Sequence, residues 1–512
     1  MYIASQQQMN ELDRYTMEEL GLPGIVLMEN AGFAVVQEMM NDVEGARPTV
    51  LVLAGIGNNG GDGFVIARRL VDAGFPVRVM LAGDVEKLKG DAKVHYEAYT
   101  KRQHEVTQYN AEILSKWLVD SDIIVDCLLG TGASGKVRSP IKEIIEAVNA
   151  AQKKVYAVDI PSGLNANTGG VVNEVAMKAF KTITFVMPKL GFFMQSGPQY
   201  IGEWKVADIS VPSRAVEELS MQLPVLLDET LVRNALPERP LHGHKGTFGH
   251  CLIVGGCINY VGAPQYTAKA AFKSGVGLVT LAVPNEIYPI VASQCPECLL
   301  LPLHSQEGSF SGEALADIDF SSFKVVAFGP GIGRRVDGKQ LLHTIFSKCE
   351  KQTIVIDADG LYFYKQLLDE GIVYHNGSII VTPHPGEMAT LTELSVKEVE
   401  ANRLTIALNF AKQHHVFVLL KGHRPIIAAP TGDCWINPHG NDALGKGGSG
   451  DVLTGLITSY VTQGASAIKA MQAASYIHAR AAELLGEQQS HASVTPIDII
   501  NAFSYLPFTS SV

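Results

Sequence analysis

The stretch "TVLVLAGIGNNGGDGFVIARRLVDAG" spans residues 49–74 and contains the unit from which the fold is built. Its first part, TVLVLAG, is apolar at consecutive positions, which is typical of a strand buried on both faces. The glycine-rich GIGNNGGDG follows, and FVIARRLVDAG (64–74) then has the apolar spacing of a helix. The stretch therefore predicts a strand, a glycine-rich loop and a helix belonging to a parallel sheet.

The same pattern recurs through the rest of the chain, and between residues 218 and 230 it gives way to prolines and charges. We predict two different α/β domains, residues 1–218 and 228–512, because the two halves share an architecture but not their motifs. The further apolar runs, each ending in Gly, Asp or Pro, are 76–83, 121–130, 154–163 and 181–191 in the first half and 249–256, 323–331, 352–360, 377–387 and 415–422 in the second.

Composition and charge narrow the class of protein. The chain has 512 residues, of which 46% are hydrophobic and 18% charged, as in soluble globular proteins of two to four domains. The net charge of −11 argues against a nucleic acid or an anionic membrane as the main partner. Anionic ligands would therefore have to be bound locally, by backbone amides and a few cations.

Cysteine usage and the N-terminus predict a cytoplasmic protein. Seven scattered cysteines fit a reducing compartment better than a disulfide framework. Cys295 and Cys298 form one CxxC, but no other ligands are spaced to complete a zinc site. The N-terminal residues lack the pattern of a signal peptide, and no apolar run reaches the roughly 20 residues of a membrane span.

Polar residues cluster where the strands of the first domain end. Asp126 and Asp159 close two of the runs, and Ser162 follows closely after the second. In open α/β sheets, ligands bind outside the carboxyl ends of the strands, so these groups should converge with the NNGGDG segment. Their oxygens suit a hard cation, and Asp159 is also a candidate acid–base group. A tight turn or a helix cap remains the alternative for each motif taken alone.

The segments GIVLMENAG (24–32), NNGGDG, DCLLGTGASG (126–135) and VDIPSGLNANTG (158–169) together resemble the NAD(P)HX epimerase domain, the YjeF N-terminal family. The resemblance spans about residues 1–215. It implies a Rossmann-like three-layer sandwich that interconverts the R and S forms of hydrated NADH or NADPH, with Asp159 as the acid–base residue. Similar domains also serve as non-catalytic binding modules. The residues that the resemblance assigns to substrate are Asn58, Asn59, Gly60, Gly61, Asp62, Gly130, Thr131, Gly132, Ala133, Ser134, Gly135, Lys136 and Asp159, and those that it assigns to potassium are Asn59, Asp126 and Ser162.

The second domain carries "GKGGSGDVLTG" (445–455), a glycine-rich segment with an acid where a helix begins. Glycine loops and helix N-termini favour phosphate, and an Asp there can serve as a base toward a hydroxyl group. Asp451 is therefore either a base beside an anion site or a helix N-cap. KGHRP (421–425) suits a phosphate or is a solvated basic turn, and TPHPGE (382–387) places His384 between two prolines.

KGTFGH, GPGIG (329–333), TPHPGE, KGHRP and GGSGDVLTG together resemble the ADP/ATP-dependent NAD(P)H-hydrate dehydratases, which have a ribokinase-like α/β fold. The resemblance covers about residues 228–512. It implies that Ala263, Gly331, His384 and Asp451 contact hydrated nicotinamide, with Mg²⁺ accompanying the nucleotide. The residues implied to bind the nucleotide are Lys421, Gly422, His423, Arg424, Pro425, Lys446, Gly447, Gly448, Ser449 and Gly450.

The two resemblances together imply a bifunctional enzyme that repairs NADHX and NADPHX, the hydrates of NADH and NADPH. The expected cofactors are K⁺ in the first domain and Mg²⁺ in the second, with ADP or ATP as co-substrate. Fused forms resemble bacterial and archaeal enzymes, which favours ADP. We also expect a homo-oligomer. The alternatives are a kinase for a vitamin precursor, such as a hydroxymethylpyrimidine or thiazole alcohol, and a nucleotide-binding scaffold or sensor.

Overall fold

The computed structural model describes residues 1–132, 135–171, 175–212, 214–334, 337–372, 374 and 377–506. The chain divides into two compact units, an N-terminal one of Tyr2–Leu223 and a C-terminal one of Pro224–Val512 together with Met1. No helix in the described ranges combines the length and the apolar character needed to cross a bilayer.

The N-terminal unit is built on a parallel sheet. Its described strands are β1 Val50–Ala54, β2 Val77–Leu81, β3 Thr107–Gln108, β4 Ile123–Cys127, β5 Lys154–Val158, β6 Lys181–Phe185 and β7 Glu203–Ala207. The α-helices are α1 Gln6–Arg14, α2 Gly24–Asp42, α3 Asn58–Asp72, α4 Gly90–Thr100, α5 Ala111–Asp120, α6 Ile141–Ala151 and α7 Ala215–Glu218. The strand order is β3-β2-β1-β4-β5-β6-β7, with every pair parallel. The order reverses between β1 and β4, and a ligand crevice is expected there, at their carboxyl ends.

Strand β1 shows why both faces of the sheet are covered. Val50, Val52 and Ala54 belong to a core with residues of α2 and α3. Leu51 and Leu53 belong to a separate core with residues of α5 and α6. Since successive side chains of a strand point to opposite faces, helices lie on both sides of the sheet. The predicted three-layer α/β sandwich is confirmed.

The helix that follows β1 starts earlier than the sequence predicts. Helix α3 begins at Asn58, so NNGGDG forms its first turns, and only residues 55–57 link strand and helix. A Cβ atom at Gly60 would lie 1.9 Å from the carbonyl oxygen of Gly55. Glycine is therefore required for the helix to start this close to the strand, and the predicted loop is wrong in its extent.

The C-terminal unit contains a larger sheet, and its α/β class is confirmed. Its described strands are β8 Val225–Leu226, β9 His250–Val254, β10 Leu278–Pro284, β11 Leu299–Leu303, β12 Ser305–Gln306, β13 Ser309–Phe310, β14 Val325–Phe328, β15 Thr353–Ile356, β16 Ile379–Val381, β17 Phe417–Leu420, β18 Ile426–Ala428 and β19 Cys434–Ile436. The α-helices are α8 Glu229–Ala235, α9 Gly262–Lys273, α10 Tyr288–Gln294, α11 Gly338–Lys348, α12 Asp359–Asp369, α13 Pro385–Thr392, α14 Val396–Ala401, α15 Arg403–His414, α16 Ser449–Thr462, α17 Ala467–Gly486 and α18 Pro496–Ala502.

The order in this sheet is β11-β10-β9-β14-β15-β16-β17-β18-β19-β8. Within it, β11, β10, β9, β14, β15, β16 and β17 pair in parallel, β17, β18 and β19 pair in antiparallel fashion, and β8 is parallel to β19. Strands β12 and β13 form a separate antiparallel pair. The five apolar runs of this half correspond to β9, β14, β15, β16 and β17. Strands β10 and β11 and the antiparallel edge lie outside those runs. The sheet places the ends of β14, β15, β16 and β17 next to one another. The predicted motifs GPGIG, TPHPGE and KGHRP follow β14, β16 and β17.

Candidate functional sites

A cavity of about 550 Å³ opens at the carboxyl ends of β1, β4 and β5 in the N-terminal unit. Of the predicted substrate residues, its wall contains Asn58, Asn59, Asp62, Gly130, Thr131, Gly132 and Asp159. Gly60 and Gly61 are buried behind the wall, where Gly61 packs against Met28 and Ala92. Gly135 and Lys136 line an adjoining cavity of about 480 Å³ instead. Ala133 and Ser134 lie outside the described residues.

Asp126, Ser162 and Asn59 form an oxygen-rich group beside the cavity. The fully buried Asp126 carboxylate accepts the Ser162 hydroxyl at 2.6 Å and the Ser162 amide at 2.8 Å. Burial raises the pKa of Asp126 to about 6, against the effect of these hydrogen bonds. The Asn59 side chain donates to the Leu129 carbonyl oxygen at 3.0 Å, while its buried Oδ1 has no partner among the described residues.

This oxygen group suits a monovalent or other hard cation. A buried amide oxygen without a partner is costly, and the nearby hydroxyl, carbonyl and carboxylate oxygens are ligands that such cations prefer. The three residues predicted for potassium are therefore brought together.

Asp159 is held by contacts that the sequence did not predict. Its Oδ1 accepts the ammonium group of Lys189, the Thr184 hydroxyl at 3.2 Å and the Phe185 amide at 3.2 Å. Lys189 is only 1% exposed. Asp159 has φ +65° and Val186 has φ +65°, a region that non-glycine residues rarely adopt. Strain of this kind concentrates at functional sites. The sequence did contain one signal for this contact, which is Lys189 within the apolar run 181–191.

Two further carboxylates face Asp159 across the cavity wall. Asp62 is 8% exposed, and burial together with the charges of Asp159 and Asp13 raises its pKa well above the ordinary value. Burial and the charge of Asp159 raise the pKa of Asp13 to about 6, against the effect of Lys189. Asp13 lies on α1, and no sequence pattern indicated it.

In the C-terminal unit, Asp451 is the third residue of α16, and the N-cap position belongs to Gly448, with φ +95°. The interpretation of Asp451 as an N-cap is therefore wrong. Burial and the charge of Asp357 raise the pKa of Asp451 to about 7, while Lys421 acts in the opposite direction. A carboxylate with such a pKa is suited to accept a proton near neutral pH.

Lys421 is paired with a buried acid and is not a solvated basic residue. Its ammonium group lies 2.6 Å from Oδ1 of Asp357, whose Oδ2 accepts the Thr454 hydroxyl at 2.6 Å. Asp357 is 1% exposed. Although burial raises its pKa, the charge of Lys421 and these hydrogen bonds bring it below the ordinary value. Lys421 thereby fixes a positive charge among Asp357, Glu387 and Asp451.

His384 caps helix α13. Its Nδ1 accepts the amides of Gly386 at 3.0 Å and Glu387 at 3.2 Å, and the Glu387 carboxylate accepts the His384 amide at 2.8 Å. This reciprocal arrangement is a capping box, which fixes the histidine at the end of β16. Burial raises the pKa of Glu387 to about 7. Glu387 lies in the quoted TPHPGE motif but was not predicted as a site residue.

Close backbone approaches bring other predicted residues together. A Cβ atom at Gly331, where φ is +64°, would lie 2.9 Å from Cβ of Ala263. One at Gly450 would lie 3.2 Å from the ammonium nitrogen of Lys421. The GPGIG turn therefore abuts the start of α9, and the KGHRP turn abuts the start of α16. The first contact joins two residues predicted to bind the hydrated nicotinamide, and the second joins two residues predicted to bind the nucleotide.

The remaining residues predicted to bind the nucleotide lie in KGHRP or around the start of α16. The guanidinium group of Arg403 donates to the Lys421 carbonyl oxygen at 3.0 Å and packs beneath Gly422, which has φ +128°. Arg424 has φ +60°, and its buried Nε has no partner in the described part of the chain. Burial lowers the pKa of His423. The carbonyl oxygen of Pro425 accepts the Asn437 amide, and the Lys446 ammonium group donates to the Ala492 carbonyl oxygen. The Ser449 hydroxyl contacts the His478 ring, and Gly447 borders open space.

Comparison with known proteins matches each unit to a protein family. The family described as YjeF-related protein N-terminus matches residues 24–191. The family described as NAD(P)H-hydrate dehydratase matches residues 251–504.

Two curated relatives match along nearly the whole chain. A bifunctional NAD(P)H-hydrate repair enzyme Nnr from Moorella thermoacetica is 35% identical, over 99% of this chain and 96% of its own. One from Thermofilum pendens has the same identity and the same coverage. Among solved structures, an ADP/ATP-dependent NAD(P)H-hydrate dehydratase from Bacillus subtilis, co-crystallized with ATP/Mg²⁺, aligns with a TM-score of 0.48. It is 28% identical and covers 55% of this chain and 97% of its own.

Proposed function

The chain belongs to the family of bifunctional NAD(P)H-hydrate repair enzymes, and from that premise we propose which reaction each of its two units catalyses. The N-terminal unit is the epimerase, which interconverts R and S NAD(P)HX. The C-terminal unit is the nucleotide-dependent dehydratase, which returns S-NAD(P)HX to NAD(P)H. The observation that supports the dehydratase site is the grouping of Asp451, at the start of α16, with the ion pair of Lys421 and the buried Asp357.

In the dehydratase, Asp451 takes the proton of the C6 hydroxyl group while that oxygen attacks the terminal phosphoryl group of the nucleotide. Phosphate then leaves from C6 and a proton leaves from C5, which restores the dihydronicotinamide. Converting hydroxide to phosphate matters because phosphate is a far better leaving group. Asp451 suits this role because its partly buried carboxylate has a pKa raised to about 7, so it binds and releases a proton near neutrality.

The nucleotide phosphates are placed by residues 421–425 and 446–450, where no side chain in the described residues caps the start of α16. Ala263, Gly331 and His384 are assigned to the hydrated nicotinamide. Mg²⁺ binds to the enzyme together with the nucleotide, as the Mg²⁺–nucleotide complex, and is therefore part of the co-substrate. We take ADP as the donor, in keeping with the resemblance to bacterial and archaeal fused forms. The homo-oligomeric state and the cytoplasmic location stay predictions from the sequence.

In the epimerase, the cavity of about 550 Å³ receives the hydrated nicotinamide, with Asp159 as an acid–base group. Asn59, Asp126 and Ser162 are proposed to hold K⁺. The unpartnered Oδ1 of Asn59 supports this assignment, since a cation would satisfy it. Bound there, K⁺ would supply positive charge beside the substrate.

Replacing Ser162 by Ala is expected to raise the K⁺ concentration for half-maximal epimerisation by about 10–100-fold. The reason is that the variant loses one oxygen ligand, and with it the hydroxyl that donates to Asp126 and accepts the Leu129 amide. The measurement is a K⁺ titration of the R-to-S initial rate at constant ionic strength. Ser115→Ala, on the exposed face of α5, is the matched control. An unchanged K⁺ response in Ser162→Ala would contradict the site.

The test of the overall function uses a mixture of R and S NADHX with Mg²⁺ and K⁺, given ADP, ATP or neither. We expect nucleotide-dependent recovery of dihydronicotinamide absorbance from both epimers, and faster recovery with ADP. Recovery of the S form alone would leave the N-terminal unit as a binding module. No recovery would refute the dehydratase, and a stable phosphorylated alcohol formed from a vitamin precursor would then establish the kinase alternative.

A further inference from the structure

Helix α1 brings a carboxylate into the epimerase cavity from outside the segment that matches the epimerase family. Asp13 lies on α1 and lines the cavity, whereas the family match begins at residue 24. The helix is anchored by the buried side chains of Met9 and Leu12 and by a capping box at Ser5. The position of Asp13 is therefore set by the core of the unit.

The start of the chain is also tied to the segment that carries Lys189. The Ala4 amide donates to the Pro188 carbonyl oxygen at 3.0 Å, and the Leu190 amide donates to the Ala4 carbonyl oxygen at 2.9 Å. Lys189 in turn pairs with Asp159. The segment that leads into the helix bearing Asp13 is thus hydrogen-bonded to the residues on either side of Lys189.

The charges in this cavity are unbalanced. Asp13, Asp62, Asp91 and Asp159 all line it, and Lys189, which pairs with Asp159, is the cation that faces Asp13. Asp62 is 8% exposed and has no side-chain hydrogen bond within the described residues. A dinucleotide substrate carries negative phosphates, so four charged carboxylates would oppose its binding. We therefore expect some of these carboxyl groups to be protonated.

On the basis of the proposed epimerase function, we propose that Asp13 is a proton-transfer residue of the epimerase and acts together with Asp159. The protonated Asp13 donates to the C6 hydroxyl oxygen of the hydrate. As the C6–O bond breaks and water leaves, the N1 lone pair forms the N1=C6 double bond. Water then adds to the other face of C6, the π electrons return to N1, and the proton released by that water passes to Asp159. Both carboxyl groups regain their starting states by proton exchange with solvent.

This division of roles follows from the surroundings of the two acids. Oδ1 of Asp159 accepts a hydrogen bond from the buried ammonium group of Lys189, so this carboxylate is placed as an acceptor. Asp13 lines the same cavity, where burial and the charge of Asp159 raise its pKa and so favour its protonated, donating form. Since the pKa of Asp13 is raised to about 6, the donor is depleted as the pH rises above that value.

The test compares Asp13→Asn and Asp13→Glu with the wild type by the initial rate of R-to-S conversion, with the epimers separated chromatographically. Asp13→Asn is expected to lose about 10²–10⁴-fold in kcat at little change in KM, and to lose the decline in rate above about pH 6. Asp13→Glu is expected to restore part of the rate and the pH dependence. Glu11→Gln, on the same helix, is the matched control.

Dehydration of S-NADHX by the same preparations reports on the C-terminal unit and should be unchanged. Two results would overturn the inference: wild-type epimerisation by Asp13→Asn, or a rate lowered uniformly with the same pH profile, which would indicate a structural role. If the wild type itself does not interconvert the epimers, the proposed epimerase function fails instead.

Discussion

Asp451→Asn is expected to lower nucleotide-dependent dehydration of S-NADHX by about 10²–10⁴-fold and to leave epimerisation unchanged. Asn is close in size to Asp, so the packing at the start of α16 should be preserved. What is lost is the ability to accept the proton of the C6 hydroxyl group. The measurement is the rate of return of dihydronicotinamide absorbance with saturating nucleotide and Mg²⁺.

The pH dependence provides a second readout of the same group. Asp451 must be unprotonated to act as a base, and its pKa is raised to about 7. Wild-type dehydration should therefore increase as the pH rises through about 7, and the residual activity of Asp451→Asn should lack this dependence. Glu387, with a pKa also raised to about 7, titrates in the same range. The Asn variant separates the two contributions.

Asp317→Asn is the matched control, because Asp317 is an exposed acid in the same unit. It should retain both activities. Dehydration by Asp451→Asn within tenfold of the wild type would contradict the role of Asp451 as the base. Loss of both activities would point to misfolding, which circular dichroism of the purified variant would detect.

Lys421→Met is expected to reduce the free energy of unfolding of the C-terminal unit by about 3–5 kcal/mol. The substitution leaves the Asp357 carboxylate, which is 1% exposed, without its ion-pair partner in the interior. Removing one member of a buried ion pair is more damaging than removing both. Denaturant unfolding that follows the transition of the C-terminal unit measures the loss.

The double variant Lys421→Met/Asp357→Asn should recover part of this stability, because no uncompensated charge remains buried. Lys397→Met, an exposed lysine of the same unit, is the matched control. Dehydration should fall in Lys421→Met, since the charge that lowers the pKa of Asp451 is gone. A Lys421→Met protein as stable as the wild type would show that the pair contributes little.

The fold was largely predictable from local patterns. Consecutive apolar residues in runs such as 49–55 and 121–130 indicated strands buried on both faces, and the structure has β1 and β4 there. The start of α3 was misplaced because NNGGDG has the composition of a loop. It is helical because Gly60 permits a contact with Gly55 that any side chain would prevent.

The sites were predictable where a motif follows a strand, as with Asp126, Asp159 and Asp451. Their partners were not. Lys189 and Thr184 are recognised only by what they contact, and Asp357 lies 64 residues from the lysine that neutralises it. Asp13 is an ordinary acid on an amphipathic helix until the sheet places it in a cavity wall.

The sequence by itself determined the alternation of strands and helices, the two-domain organisation that we predict and the motifs that identify the family, because these depend on residues near one another in the chain. Only the tertiary structure decided which acids are buried and which cation faces each of them. Desolvation and charge act through space, over a few ångströms, so the proton affinities of Asp13, Asp62, Glu387 and Asp451 exist only after distant segments have packed together.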